Sequence, residues 1–120
     1  MNGSDRWQGE RIFLYRYPVD MRRQIDGLSA LVATEFRRNP ADGCVYAFIN
    51  KRGDKLKLLV WHQNGFWLLY KRCEKQRFHW PQWFHEKTLC LSQEELDYLL
   101  EGYNLNGMKP HGSMQFAHAV

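Results

Sequence analysis

The dipeptide Asn64-Gly65 limits what this chain can become more than any other feature. Both residues tolerate the positive φ that a two-residue hairpin turn requires, so the runs on either side return antiparallel. Lys55 to His62 leads in and Phe66 to Cys73 leads out, each rich in Leu, Val and aromatic residues. Upstream, Lys51-Arg52-Gly53-Asp54 is a loop of hairpin length behind a further strand, Val45 to Asn50. The three runs predict an antiparallel β-meander.

Turn positions also predict register, because side chains alternate faces with period two. A turn at Asn64-Gly65 pairs Gln63 with Phe66, Trp61 with Leu68, Leu59 with Tyr70 and Lys57 with Arg72. A tight 51–54 loop opposes Asn50 to Lys55 and Phe48 to Lys57. One face then carries Val45, Ala47, Ile49, Leu56, Leu58, Val60, His62, Trp67, Leu69 and Lys71. It is apolar over most of its length and is expected to pack on the first helix. The other carries Tyr46, Phe48, Lys57, Leu59, Trp61, Leu68, Tyr70 and Arg72, rings mixed with cations. Such a face can stack bases and hold phosphates if it is open. The competing expectation is that a helix or a partner subunit covers it.

Outside the meander, Ile12-Phe13-Leu14-Tyr15 reads as a short first strand, stopped by Pro18. Asp20 stands at a helix N-cap position, and Met21, Ile25, Leu28, Leu31, Val32 and Phe36 follow at steps suited to one apolar stripe. Asn39-Pro40-Ala41-Asp42-Gly43 ends that helix. Gly27 within it predicts close approach to the sheet, and Arg22, a cation in the first turn, is expected to meet either Asp26 at i+4 or an acidic partner such as a DNA phosphate. Thr88 to Leu91 is a candidate last strand. Ser92 and Glu95 fit a capping box, ahead of Leu96, Leu99, Leu100 and Tyr103. The predicted class is α+β: an antiparallel β-meander packed against a long N-terminal helix, with a second C-terminal helix. A single domain is expected over residues 11–105, with flexible ends at 1–10 and 106–120.

The formal net charge of +4 favours acidic partners, among which nucleic acid is the commonest for a basic cytosolic protein. Cys44, Cys73 and Cys90 are an odd, scattered set, which points to a reducing compartment and a cytoplasmic location. No run approaches the roughly 20 apolar residues that span a bilayer, so no membrane association is expected. No apolar segment follows Arg6, so no signal peptide is expected either.

Catalysis finds no support in the pattern. Two-metal nuclease chemistry needs converging carboxylates, whereas Asp20, Asp26, Asp54 and Glu74 fall at a cap, inside a helix, in a turn and after a strand. His62, His79, His85, His111 and His118 show no metal-ligand spacing. No glycine-rich phosphate loop and no nucleophile elbow are present. The expectation is no catalytic residue, no metal and no cofactor.

Two segments carry a resemblance. The first is Asp20-Met21-Arg22-Arg23-Gln24-Ile25-Asp26-Gly27-Leu28-Ser29-Ala30-Leu31-Val32. The second is Val45 to Leu59, continuing through Gly65-Phe66-Trp67-Leu68-Leu69-Tyr70-Lys71-Arg72 to Arg77-Phe78-His79-Trp80-Pro81. Together they resemble the TnpB-type accessory protein of the insertion-sequence-66 transposable elements of bacteria, which is distinct from the RNA-guided nuclease sharing that name. The similarity runs from about Ile12 to Leu105, with Gln24 and Cys73 as mild departures. It implies a protein that supports transposition beside a separate transposase, and it implies no reaction.

The leading functional expectation is therefore a non-catalytic accessory factor that binds DNA together with its transposase. The candidate nucleic-acid-binding residues are Arg22, Arg23, Lys51, Arg52, Lys55, Lys57, Trp61, Tyr70, Arg72, Lys75 and Arg77. The alternative is a module that binds the transposase without touching DNA, its exposed rings acting as interface anchors. Neither oligomeric state nor strand preference follows from the sequence.

Overall fold

The computed structural model describes residues 11–105. The expected loose ends at 1–10 and 106–120 lie outside the described residues. Strand β1 (Ile12–Tyr15) precedes helix α1 (Ile25–Leu31), which continues into a π-helical turn, Val32–Phe36. Strands β2 (Val45–Ile49), β3 (Lys55–His62) and β4 (Gly65–Arg72) follow, then β5 (Thr88–Leu91) and helix α2 (Gln93–Leu100). The sheet order is β4-β3-β2-β1-β5.

β2, β3 and β4 form the predicted antiparallel meander, but the whole sheet is mixed. β1 inserts beside β2 in parallel, with Phe13 opposite Tyr46, and β5 closes antiparallel on β1. A parallel neighbour needs a crossover, and α1 supplies it. The β2–β3 register is as expected, with Phe48 opposite Lys57. The β3–β4 register is displaced by two residues from the expected one: Trp61 meets Phe66 and Lys57 meets Tyr70. Gln63 and Asn64 occupy the turn, Gln63 at φ 57, and Gly65 already belongs to β4. This register sets the Trp61 and Phe66 rings edge to face at 5.1 Å and the Lys57 ammonium 5.7 Å from the Tyr70 ring. A slip of two leaves every side chain on its predicted face.

The first helix is shorter than predicted. Asp20 does not cap it: its carboxylate accepts the Arg22 N–H at 2.9 Å and its carbonyl the Arg23 N–H at 3.0 Å, closing a separate turn. Helix geometry begins only at Ile25. Arg22 correspondingly pairs with Asp20, not with Asp26. Gly27 makes room for Arg23 rather than for the sheet, since a Cβ there would lie 3.3 Å from the Arg23 Cβ.

The two layers are also exchanged relative to the prediction. Val45, Ala47, Ile49, Leu56, Leu58 and Val60 pack with Leu96 and Leu99 of α2 and with Phe78, Trp80 and Phe84, not with the first helix. The ring-bearing face, with Phe13, Tyr15, Tyr46, Phe48 and Leu59, lies under Leu28 and Val32. The π-helical turn brings Phe36 into this layer, its ring 5.1 Å from Tyr46, 5.6 Å from Tyr15 and 5.9 Å from Phe48. Rings from two strands plus Phe36 offer larger areas to bury than aliphatic side chains do, so the short helix settles over them. At the other end of the chain the capping box is present as predicted. Ser92 Oγ accepts the Glu95 N–H at 3.1 Å, and Glu95 Oε1 accepts the Ser92 N–H at 2.7 Å.

Candidate nucleic-acid interface

One end of the sheet is organised by a single asparagine. Asn50 Oδ1 accepts the N–H groups of Gly53 and Lys55, at 2.9 and 3.0 Å, while Nδ2 donates to Asp54 Oδ1 at 2.7 Å. Gly53 turns the loop at φ 83, which a side chain would resist. Two segments then close on this loop. The Cys73 N–H donates to Asp54 O and the Phe78 N–H to Gly53 O, both at 2.8 Å. On the α1 side, the Val19 N–H donates to Ile49 O at 2.8 Å.

Lys57 completes the arrangement from within. It is only 7% exposed, and its ammonium donates to the carbonyls of Met21 and Arg23, each at 2.8 Å. A buried ammonium is tolerated when its hydrogen bonds are met, and here they go to the turn carrying Arg22 and Arg23. Lys57 therefore positions other cations and does not offer itself to a ligand.

The consequence is a basic rim. Arg22 and Arg23 arrive from the 20–24 turn, Lys51, Arg52 and Lys55 from the β2–β3 loop, and Arg72, Lys75 and Arg77 from the end of β4 and the segment after it. All but the half-buried Lys55 are exposed. Lys55 and Arg72 are cross-strand partners. Three carboxylates share the rim. Arg22 meets Asp20 at 2.6 Å, Arg72 meets Glu74 at 3.0 Å, and Lys55 and Arg52 approach Asp54 at 3.5 and 3.9 Å. Hydrogen bonds from Arg22 hold the Asp20 carboxyl down to about 2. The Asn50 amide lowers Asp54, with Lys55 and Arg52 adding to it. Exposed ion pairs of this kind are worth little each. Their cations stay available to phosphate.

The predicted rings fare differently. Tyr46 and Phe48 are fully buried beneath α1, so they offer no stacking surface. Trp61 is half-buried against Phe66 at the hairpin end, away from the rim. Tyr70 alone among the sequence-predicted rings is both exposed, at 52%, and next to the rim cations, two residues from Arg72. Sequence reasoning missed the structural roles of Asn50 and Lys57. An Asn at a strand end before a Gly-containing loop was the available signal for the first.

A second polar cluster lies at the start of β2. Tyr46 Oη donates to Asp42 Oδ2 at 2.8 Å, and Arg38 Nε donates to Tyr46 Oη at 3.0 Å. The Cys44 N–H donates to Asp42 Oδ1 at 2.9 Å, and the Arg38 guanidinium lies 4.5 Å from the Phe13 ring. Burial pushes the Cys44 thiol and the Tyr46 phenol up, away from nucleophilic forms. Burial also opposes ionisation of Asp42, yet its hydrogen bonds to Cys44, Tyr46 and Arg38 hold it below the usual carboxylate range. Each group is engaged by its neighbours, so the cluster serves packing. Among the described residues, no group of three or more His, Cys, Asp or Glu side chains is arranged to hold a metal ion, and no helix is long and apolar enough to cross a membrane.

Comparison with known families gives the setting. The family described as IS66 Orf2-like protein matches residues 10–110. The chain belongs to the IS66 Orf2-like family. This membership marks it as a transposition-associated accessory protein rather than a known enzyme. The earlier resemblance, from Ile12 to Leu105, falls within that match. Uncharacterized protein y4jC of Sinorhizobium fredii is 33% identical over 102 residues, covering 85% of this chain and 86% of that one. Uncharacterized protein y4hO of the same organism is 30% identical over 95 residues, covering 79% and 82%. No solved structure matches.

Proposed function

We propose that this IS66 Orf2-like protein is a non-catalytic accessory factor that binds nucleic acid through its basic rim and acts with a separate transposase. The observation carrying this reading is the convergence of eight cations from three segments on the Asn50–Asp54 loop, against three carboxylates. The binding mode it favours is phosphate contact, since Tyr46 and Phe48 are covered. Tyr70 remains as one stacking surface beside the cations.

Binding to element-end DNA should fall steeply with salt. If four or five rim cations meet phosphates, log K against log[salt] has a slope of about −4. The quadruple substitution Lys51→Glu, Arg52→Glu, Lys75→Glu, Arg77→Glu lies wholly on exposed side chains and should abolish binding with little loss of stability. Absence of DNA binding at low salt, or an unchanged slope in that variant, would refute the proposal.

Trp67 favours a second reading. It is 59% exposed, lies on the face opposite Tyr70 and fits an interface anchor for the transposase. Capture of the transposase that survives nuclease treatment and is lost in Trp67→Ala would support that role.

A further inference from the structure

Strand β4 is an edge strand of unusual openness. All eight of its residues pair with β3 in unbroken register, with neither a bulge nor a proline. Among the described residues no strand pairs with its outer side. Natural sheets blunt such edges by shortness, charge, proline or a bulge. The opposite edge, β5, has only four residues, two of them buried. β4 is blunted only by Lys71 and Arg72 at its end, and Phe66-Trp67-Leu68-Leu69-Tyr70 carries no charge.

The direction of its free backbone groups follows from alternation. The Cys73 N–H points to the β3 side, where it meets Asp54 O just ahead of that strand. In an antiparallel ladder alternate residues bond to opposite sides. Lys71, Leu69, Trp67 and Gly65 therefore bond inward, while Phe66, Leu68, Tyr70 and Arg72 present their N–H and C=O groups outward.

We propose that β4 pairs antiparallel with β4 of a second copy, about a two-fold axis through Leu69, to give one continuous sheet. Outward-bonding residues must face outward-bonding residues, so the axis lies normal to the sheet and each layer continues into its counterpart. With Leu69 on the axis, Leu68 opposes Tyr70 and Phe66 opposes Arg72, both as hydrogen-bonded pairs. Trp67 of each copy then opposes Lys71 of the other. The strand is complementary to itself: an aromatic half and a cationic half, which antiparallel pairing brings together as cation–π contacts. Parallel pairing would place like charges side by side. Lys71 keeps its bond to Leu100 O, at 2.6 Å, because both lie on the α2 side with Trp67. The two-fold contact closes, so it ends at a dimer.

Sedimentation equilibrium of the full chain without nucleic acid tests this, from micromolar to submillimolar concentration. The wild type should show a monomer–dimer equilibrium. Trp67→Lys sets lysine against Lys71 and should weaken the dimer roughly tenfold. Trp67→Glu sets a carboxylate against Lys71 and should hold or tighten it. Tyr70→Pro removes an outward N–H, which an edge strand tolerates, and should leave a folded monomer. A wild type that is monomeric throughout overturns the proposal. So does equal weakening by Trp67→Lys and Trp67→Glu, which would indicate unspecific apolar contact, or a dimer indifferent to Tyr70→Pro. The measurement contains no DNA, so its outcome is independent of the nucleic-acid reading.

Discussion

Replacing Lys57 with methionine removes an ammonium while keeping a stem of similar length in the sheet. The ammonium makes two hydrogen bonds, to Met21 O and Arg23 O, each 2.8 Å long. Hydrogen bonds to a charged group contribute about 1.5–3 kcal/mol each, a gross loss of about 3–6 kcal/mol. Part of this is offset, because methionine costs nothing to desolvate whereas a buried ammonium does. The net loss should be about 2–3 kcal/mol, which for a domain of this size lowers Tm by roughly 10–20 °C. Urea unfolding followed by circular dichroism gives the number directly, with a fall in midpoint at unchanged slope. On the proposed nucleic-acid reading, the same variant should also weaken DNA binding beyond any stability loss, since the turn carrying Arg22 and Arg23 is no longer tied to β3. A stability change below about 0.5 kcal/mol would refute the reasoning, by showing that solvent replaces the ammonium without cost.

Glu95 is buried, and its Oε2 has no hydrogen-bond partner among the described residues. Burial raises its carboxyl, so the folded state holds the proton more tightly and stability falls as pH rises through the ordinary carboxylate range. Glu95→Gln keeps the capping box and removes the buried charge, so it should raise the melting temperature relative to the wild type more at pH 7 than near pH 4, read by thermal melts at both values. Asp42 has the opposite sign: its lowered carboxyl stabilises the fold above about pH 4 and loses that effect as the pH falls through its folded value. Asp42→Asn should flatten the acid limb of the stability profile. Tyr46→Phe leaves Asp42 and Arg38 without the shared hydroxyl and should cost about 1–2 kcal/mol in urea unfolding.

The meander was legible because its information is local. Loop 51–54 fixed the β2–β3 pairing, and period two fixed which side chains share a face even where the hairpin register slipped. The capping box of Ser92 and Glu95 was legible for the same reason, being closed within four residues. What covers each face was not legible, because both faces are apolar enough to attract a helix. That choice depends on β1, whose insertion beside β2 adds Phe13 and Tyr15 to the ring layer. The length of the first helix was misread for a further reason. The apolar spacing from Met21 to Phe36 is helical throughout, but Asp20 binds Arg22 at i+2 and so closes a turn before the helix starts.

The candidate site follows the same division between local and long-range information. Of its eleven predicted residues, the eight rim cations are charges at turns and strand ends, where side chains stay wholly or, for Lys55, partly in solvent. The three that sit within the strands, Lys57, Trp61 and Tyr70, depended on coverage, and each met a different fate. Lys57 was taken into the core by carbonyls 34 and 36 residues away in the chain. Trp61 was half-covered through its cross-strand neighbour Phe66. Tyr70 stayed open because β4 is an edge, beyond the reach of the short α1. A surface built this way can read charge density along a phosphate backbone, but it has one ring, not a row, with which to meet bases. On the proposed nucleic-acid reading, binding should therefore depend on salt and show weak sequence preference.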